Sequence, residues 1–216
     1  MRKMNLRRTG YLVALVLIGP GSPGIAGDRN ANDPGSSENS GPSYTINYSK
    51  STLYWEGAKP GGTHQGTIEI INGAAQTDGN SISGGSFEID MSTIRNDDIG
   101  NEDMRDKLLG HLKSEDFFYV DKYPRAVFEI TGVEAGDGAS HTITGDLTIR
   151  GNTNEISFAA DIAMDDEMIH AKTGEIVLDR TKWEVNHMSK SVFAEMKDRF
   201  INDEMIVKLD LHFSRN

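Results

Sequence analysis

The sequence of 216 residues contains no cysteine, which excludes disulfide bonds, thiolate metal ligands, haem attachment through cysteine and a lipidated N-terminal cysteine. Basic residues are also scarce, because 22 lysines and arginines stand against 33 aspartates and glutamates, a formal net charge of −11. Nucleic acids and anionic membrane surfaces both require a positive footprint on the protein. The composition therefore excludes them as main partners, and a hydrophobic core has to hold the fold without covalent cross-links.

Long hydrophobic runs are absent except near the N-terminus, where basic residues precede the apolar segment Tyr11–Ile18. The small-x-small sequence Gly24-Ile-Ala26 follows, as in a secretory signal peptide, and the apolar run is too short to span a membrane. We therefore expect residues 1–26 to be a signal peptide, the protein to be periplasmic or secreted, and no stable membrane span after cleavage. Residues 27–42 are polar and predict a disordered linker before a domain over 43–216.

Beyond the linker, apolar and polar residues alternate in short segments that glycine, asparagine and aspartate separate, the pattern of half-buried β-strands. We predict strands over Tyr44–Tyr48, Thr52–Glu56, Thr63–Asn72, Ser81–Met91, Ala126–Val133, His141–Arg150, Thr153–Met164, Met168–Asp179 and Met205–Phe213. A two-residue turn at Gly151-Asn152 and a helical turn within Ser189–Lys197 are also predicted. Strands with one apolar face need a second layer or closure, so the alternation fits a sandwich and a barrel equally well.

The densest apolar stretch of the domain, Lys107–Phe128, does not alternate. The leucines within Leu108–Leu112 have helical spacing, and three consecutive aromatic residues, Phe117–Tyr119, follow them. Pro124 favours an extended backbone just before alternation resumes. We predict a helical crossover over Asn96–Leu112, then an aromatic plug, a turn and a strand, with the sheet closed around this connection.

Four parts of the chain together resemble the YceI-like family of secreted lipid-binding proteins. They are Trp55–Gly66, Gly84–Asp98, Lys107–Phe128, and the pair Thr144–Gly151 and Leu178–Trp183. The resemblance covers Tyr44 to Phe213 and is most specific in the pattern HL…S…DFF…YP…F that begins at His111. It departs at Tyr119, where the family often has aspartate after the two aromatic residues.

The resemblance implies an all-β fold, an eight-stranded antiparallel lipocalin-like barrel with a short helical crossover between the middle strands and a long apolar cavity. It also implies binding of a polyisoprenoid, an isoprenoid quinone or a prenyl phosphate. A carrier of such a lipid needs a dry interior lined by aliphatic and aromatic side chains, although plain core packing is the alternative for each of them. The inward strand positions that we expect to line the cavity are Ile68, Ile70, Phe87, Ile89, Met91, Phe128, Ile130, Ile143, Leu147, Ile149, Phe158, Ile162, Leu209 and Leu211.

A polar head group would need partners at the mouth of the barrel. The candidates for an anionic head are Lys59, His64, Arg180 and Lys182. Arg180 offers a planar fork for phosphate oxygens, and pairing with nearby acids to seal the barrel is the structural alternative. Trp55 and Trp183 are candidates to frame the mouth or to pack at the end of the barrel.

Motifs of catalysis and of resident cofactors are missing from the sequence. The six histidines have no HxH or HExxH spacing, and the acidic clusters lack an EF-hand pattern, so we predict no metal site. There is no Gly-x-Ser-x-Gly and no glycine-rich phosphate loop. We predict a non-enzymatic carrier of an isoprenoid-type lipid with no cofactor, and a homodimer stays open. The alternatives are a filled barrel that acts through protein contacts in envelope stress or adhesion, and an enzyme on a lipid-like substrate that uses His64 or an acid pair.

Overall fold

The computed structural model describes residues 42–79, 81–193, 195 and 199–216. The predicted signal peptide, all but the last residue of the predicted linker and part of the predicted helical turn Ser189–Lys197 lie outside the described residues. The described residues form ten strands and one α-helix: β1 Ser43–Ile46, β2 Thr52–Lys59, β3 Gly62–Thr77, β4 Ile82–Asp90, α1 Glu102–Lys113, β5 Arg125–Ala135, β6 Ser140–Ile149, β7 Asn152–Met164, β8 Met168–Thr173, β9 Ile176–Asp179 and β10 Glu204–Arg215. Short 3-10 turns cover Met91–Thr93 and Arg180–Trp183.

The strands form one antiparallel sheet that closes on itself. The order is β2-β3-β4-β5-β6-β7-β8-β10, and β10 also pairs with β2. β1 continues the row of β2, because it lies between β10 and β3, and β9 continues the row of β8 beside β10. The result is an eight-row antiparallel barrel with α1 between β4 and β5, which confirms the predicted all-β barrel and its helical crossover and excludes the sandwich.

The hydrophobic core lies inside the barrel because the strands keep the predicted period of two. In β10, Leu209, Leu211 and Phe213 are buried, whereas Asp210 and His212 between them are partly exposed on the outer face. β6 buries every second residue from Ile143 to Ile149 in the same way. Each fully buried side chain of this size contributes roughly 1.5–3 kcal/mol, so the alternating faces supply the stability that disulfides supply elsewhere.

The crossover helix begins later than predicted, at Glu102 rather than Asn96. The N–H groups of Arg95 and Asp97 donate to carbonyl groups of β3, so the chain before the helix runs extended along that strand. A Cβ atom at Gly66 would lie 1.9 Å from the carbonyl oxygen of Arg95, so only glycine permits this approach. Asn101 caps the N-terminus of α1, and its side chain accepts the N–H of the third helical residue at 3.0 Å.

The aromatic plug follows α1 and contains Tyr119, where the chain departs from the aspartate that is frequent in the family. Phe117 and Val120 are buried, as the predicted plug requires. Tyr119 has a φ of 49°, in the left-handed region where aspartate is enriched and an aromatic residue is uncommon. Its N–H donates to the carbonyl of Ser114 at 2.9 Å, so the turn forms in spite of the substitution.

Two further predictions were wrong in detail. The β6–β7 hairpin turns at Arg150-Gly151, one residue earlier than predicted, because both of these residues have positive φ and Asn152 already pairs in β7. The predicted strand Met168–Asp179 is interrupted between β8 and β9. At the break, the hydroxyl of Thr173 accepts the N–H of Leu209 at 2.9 Å and replaces a ladder bond to β10.

Candidate functional site

The barrel encloses a cavity of about 130 Å³ with a nearly apolar wall, here called the large cavity. Nine of the fourteen predicted lining residues border it: Ile68, Phe87, Ile89, Met91, Phe128, Leu147, Ile149, Phe158 and Leu209. A dry apolar cavity of about 150 Å³ is large enough to bind benzene. The large cavity can therefore hold a ring or a branched hydrocarbon of about that size without any movement.

A second cavity of about 50 Å³, the small cavity, shares part of this wall. Four more predicted residues border it, namely Ile130, Ile143, Ile162 and Leu211, whereas Ile70 is buried outside both linings. Phe87, Phe128 and Phe158 border both cavities. The ring centroid of Phe128 lies 5.4 Å from that of Phe87 and 5.6 Å from that of Phe158. The interior is thus two cavities separated by three phenylalanine rings, rather than the single long cavity that the resemblance implied.

The part of the lining that comes from outside the long strands was not predicted from the sequence. Leu112 of α1 and the plug residues Phe117 and Phe118 border the large cavity, and so do Ile176 and Leu178 of β9. The helical spacing of Leu112 and the run of aromatic residues were the available signals. The sheet was predicted to close around this plug, but the plug residues were not named among those expected to line the cavity.

Arg180 borders the large cavity, but three of its five N–H donors already bind backbone carbonyls. Its Nε donates to the carbonyl of Asn202 at 2.9 Å, and its two terminal nitrogens donate to the carbonyls of Ile201 and Val185. The side chain is only 3% exposed and lies 3.5 Å from a carboxylate oxygen of Asp203. Burial lowers the pKa of Arg180, and the charge of Asp203 opposes this shift. This arrangement matches the sealing role that was the alternative to phosphate binding.

The other three head-group candidates lie away from the large cavity. Lys59 is exposed at the end of β2, and Lys182 is exposed in the second 3-10 turn. The Nδ1 atom of His64 lies 2.8 Å from Asp98, which also accepts the N–H of Gln65 at 2.9 Å. Burial raises the pKa of Asp98, but its hydrogen bonds outweigh burial and leave the pKa below its ordinary value. His64 therefore helps to fasten the segment before α1 onto β3.

Among the described residues, two carboxylates accompany Arg180 at the border of the large cavity, and no other cationic side chain does. Glu56 near the end of β2 and Glu204 at the start of β10 both border the cavity, as does the uncharged Asn202. Two carboxylates repel a phosphate head group, and the guanidinium that would attract it is occupied by carbonyl groups. The border therefore suits an uncharged head group better than an anionic one.

The two tryptophans have different places. Trp55 borders the large cavity, and its indole N–H donates to the carbonyl of Arg95 at 2.9 Å. Trp183 is 1% exposed and donates to the carbonyl of Leu147 at 2.8 Å, so it packs within the wall. Trp55 is the tryptophan that can report on the contents of the cavity.

The barrel wall has a gap beside the large cavity, here called the β7–β9 gap. β7 pairs with β8 only from Ala160 onward, and β9 pairs with β10, so in the described part of the chain no ladder joins β9 to β7. An outer groove follows the gap. Four side chains border both this groove and the large cavity: Ile156, Phe158, Ile176 and Leu178. Side chains alone therefore separate the cavity from solvent at this place.

The fold and its interior define a class: a closed antiparallel β-barrel with an apolar cavity beneath a helical crossover. The YceI-like domain matches residues 44–213 of the chain. The chain therefore belongs to the YceI-like domain family. Across the described residues, we find no helix with the length and hydrophobicity needed to cross a membrane.

Known relatives and solved structures agree with this assignment. Over 95 residues the chain is 33% identical to a UPF0312 protein of Azotobacter vinelandii and 35% identical to Protein YceI of Shigella flexneri. Each alignment covers 44% of this chain and 47% of the relative, so the chain spans about half the length of the curated relatives it matches.

Two solved structures share the fold at low sequence identity. BcnA of Burkholderia cenocepacia is 17% identical with a TM-score of 0.61, over 77% of this chain and 98% of that one. A polyisoprenoid binding domain from Saccharophagus degradans, implicated in plant cell wall breakdown, is 13% identical with a TM-score of 0.58, over 80% and 98%. At these identities the likeness establishes the fold alone.

Proposed function

We propose that this chain binds the apolar part of an isoprenoid-type lipid in the large cavity and acts as a carrier rather than as an enzyme. The observation that carries the proposal is the cavity of about 130 Å³ with its nearly apolar wall. An empty apolar cavity costs stability, because its lining side chains lose packing contacts, and a ligand restores those contacts. The shared fold of the polyisoprenoid binding domain from Saccharophagus degradans supports the same ligand class.

The head group of the ligand is uncharged in this proposal. Glu56 and Glu204 border the cavity, and the donors of Arg180 bind backbone carbonyls. An isoprenoid quinone or a polyprenyl alcohol avoids the repulsion that a prenyl phosphate meets there. The predicted signal peptide supports a site of action in the periplasm or outside the cell.

Binding of a long tail requires movement inside the barrel. The large cavity holds about one benzene-sized group, whereas a polyisoprenoid has many such units. Displacement of Phe87, Phe128 and Phe158 would join the two cavities, and the β7–β9 gap is the place where the tail would pass the wall. Movement of Ile156 and Leu178 there breaks no backbone ladder.

The first test is native mass spectrometry of the protein purified from its own envelope, followed by solvent extraction and identification of the lipid. We expect one lipid per chain. The empty protein should also take up a short-tailed isoprenoid quinone, with quenching of fluorescence that is lost in Trp55→Phe. An empty protein that takes up neither quinones nor prenyl phosphates would contradict lipid binding, and a preference for prenyl phosphate would contradict the uncharged head.

A matched pair of variants locates the bound lipid. Ala126 borders the large cavity and Ala160 the small one, and each is at most 4% exposed. We expect Ala126→Leu to weaken quinone binding about tenfold or more, because the added carbons occupy the ligand's space. Ala160→Leu should weaken it less. Equal binding by both variants and the wild type would place the lipid outside the barrel.

A further inference from the structure

The described residues contain two clusters of histidine and aspartate near the protein surface. The spacing of the histidines in the sequence predicted neither cluster. The first contains His111, Asp116 and His187, and the second contains His170, Asp210 and His212. In each cluster one donor atom from every side chain lies within 4.8 Å of the other two. Two imidazoles and a carboxylate are a common donor set for zinc and related divalent metals.

The first cluster has the separations of metal ligands rather than of hydrogen-bonded partners. The Nε2 of His111 and the Nδ1 of His187 lie 3.6 and 3.9 Å from the same carboxylate oxygen of Asp116. Both distances exceed the normal hydrogen-bond length. Donor atoms bound to one tetrahedral zinc ion lie roughly 3.3 Å from one another, given metal–ligand bonds of about 2.0 Å. The two histidine-to-aspartate separations thus come within about 0.6 Å of this value, and the donors of the two histidines lie within 4.8 Å of each other.

The orientation of the rings in the first cluster also fits one shared ion. The rings of His111 and His187 are nearly perpendicular, at 88°, with centroids 4.6 Å apart. Because the lone pair of an imidazole nitrogen lies in the ring plane, perpendicular rings can direct two lone pairs to one point. Asp116 is largely exposed, which leaves room for water in a fourth position.

The second cluster is built differently and serves as a comparison. His170 and His212 lie 2.7 and 3.2 Å from one oxygen of Asp210, within hydrogen-bonding distance. Their rings are stacked at 11° with centroids 4.1 Å apart, so their lone pairs run parallel instead of converging. Lys172 lies 3.4 Å from the other oxygen of Asp210 and already supplies a positive charge. This cluster is neutralised within the protein and does not fit a metal.

We propose that His111, Asp116 and His187 form a binding site for a zinc-class divalent metal ion. The three residues come from α1, from the turn just before the plug and from the segment after the second 3-10 turn, so one ion would tie these segments together. The ring of Phe117, which borders the large cavity, lies 5.2 Å from His111 and 5.7 Å from His187. The ion would therefore hold the plug against the cavity.

The test is calorimetric titration of the metal-free protein with Zn²⁺, with the visible spectrum of bound Co²⁺ as a second readout. We expect one ion per chain, a tetrahedral Co²⁺ spectrum and a rise in the melting temperature on binding. Asp116→Asn and His187→Gln should each weaken Zn²⁺ binding roughly 100-fold or more, since each loses one of three protein ligands. His170→Gln is the matched control and should bind as the wild type does.

Each outcome decides the proposal. Asp116 is exposed, so Asp116→Asn should fold as the wild type does, which circular dichroism of the metal-free variant checks. Wild-type protein that binds no Zn²⁺ above the level of a triple variant at residues 111, 116 and 187 would overturn the proposal. Binding that is lost in His170→Gln but kept in Asp116→Asn would overturn it equally. Neither result depends on whether the barrel binds a lipid.

Discussion

On one side of the large cavity, β2 and β10 pair over six successive residues, from Gly57 with Met205 to Thr52 with Asp210. On the other side, β7 and β9 face each other across the β7–β9 gap, and in the residues described here no ladder joins them. The first side is held by backbone hydrogen bonds, which almost any side chain permits. The second side is held by particular side chains. Mutations of these fastening side chains should therefore loosen the second side, and a ligand can pass there without breaking a ladder.

The side chains at the base of the gap fasten the second 3-10 turn to the strands around it. Asn154 of β7 donates to the carbonyl of Lys182 at 2.9 Å, and Asn152 donates to the carbonyl of Trp183 at 3.3 Å. Arg180 binds the segment before β10 from the other side. These contacts stand in for the missing ladder between β7 and β9, because they fasten the turn that follows β9.

The largest effect is expected from Arg180→Met, which would remove the fastening at the base of the gap. The change leaves one buried and two partly buried carbonyl groups without this donor, and Asp203 without its cation. We expect the free energy of unfolding to fall by roughly 3–5 kcal/mol. Urea unfolding measures it. The control is Lys182→Met on the exposed neighbouring side chain, which should change stability by less than about 0.5 kcal/mol. If both variants lost a similar free energy of unfolding, Arg180 would not be the residue that holds the base of the gap together.

A pair of leucines compares the two sides directly. Leu178 of β9 and Leu53 of β2 are 6% and 4% exposed, and both border the large cavity. Either leucine-to-alanine change should cost about 3 kcal/mol in urea unfolding, because each leaves a cavity of similar size. Only Leu178→Ala should also speed the release of a short-tailed isoprenoid quinone in stopped-flow fluorescence, by about tenfold. Equal release rates in the two variants would contradict passage through the gap.

Much of this wall was predictable from the sequence, and the gap was not. The alternation in β6, β7 and β10 follows from side chains that face opposite sides of a strand, so the inward residues Ile143, Phe158 and Leu211 were identified correctly as inward. The inward positions shift by one residue between β8, where Ile169, Ala171 and Thr173 face the interior, and β9, where Ile176 and Leu178 do. This break in the alternation marks the interruption of the predicted strand Met168–Asp179, but the alternation does not show which strand β9 pairs with.

The roles of the site residues were equally hard to predict from the sequence, because they depend on contacts between distant parts of the chain. Arg180 was singled out by its residue type, but its role depends on carbonyl groups from residues about 20 positions away in the chain. The donors of His111 and His187 meet because α1 and the second 3-10 turn come together, and no local spacing encodes that meeting. Sequence patterns gave the faces of the elements, whereas contacts between non-neighbouring turns required the structure.

A smaller, kinetic effect is expected from a reversible link across the gap. Ser157 and Val177 are exposed on the facing strands, and the natural chain has no cysteine to interfere. In Ser157→Cys/Val177→Cys, a bis-methanethiosulfonate cross-linker, which joins the two thiols through reducible disulfides with loss of sulfinate, should slow quinone uptake about tenfold, and reduction should restore the rate. The control links Ser157→Cys to Thr144→Cys, whose parent side chains are already hydrogen-bonded at 3.2 Å within the β6–β7 ladder. If both links slow uptake alike, the lipid uses another way in. If no lipid binds even before linking, lipid binding itself fails.

The smallest effect concerns Asp203, which supports Arg180 at the base of the gap. Burial raises the pKa of Asp203, but hydrogen bonds from Ser189 and Ser191 and the charge of Arg180 outweigh it and hold the pKa below 3.8. A carboxyl group with a lowered pKa in the folded state stabilises the protein above pH 3.8, and this contribution disappears as the pH falls through the folded-state pKa. The side chain is 20% exposed, so solvent screening limits the effect. We expect Asp203→Asn to lose about 1 kcal/mol at pH 7 in urea unfolding, and the difference from the wild type to shrink below pH 3.8. A difference that stays constant down to the acid transition would mean that Asp203 acts through packing and not through its charge.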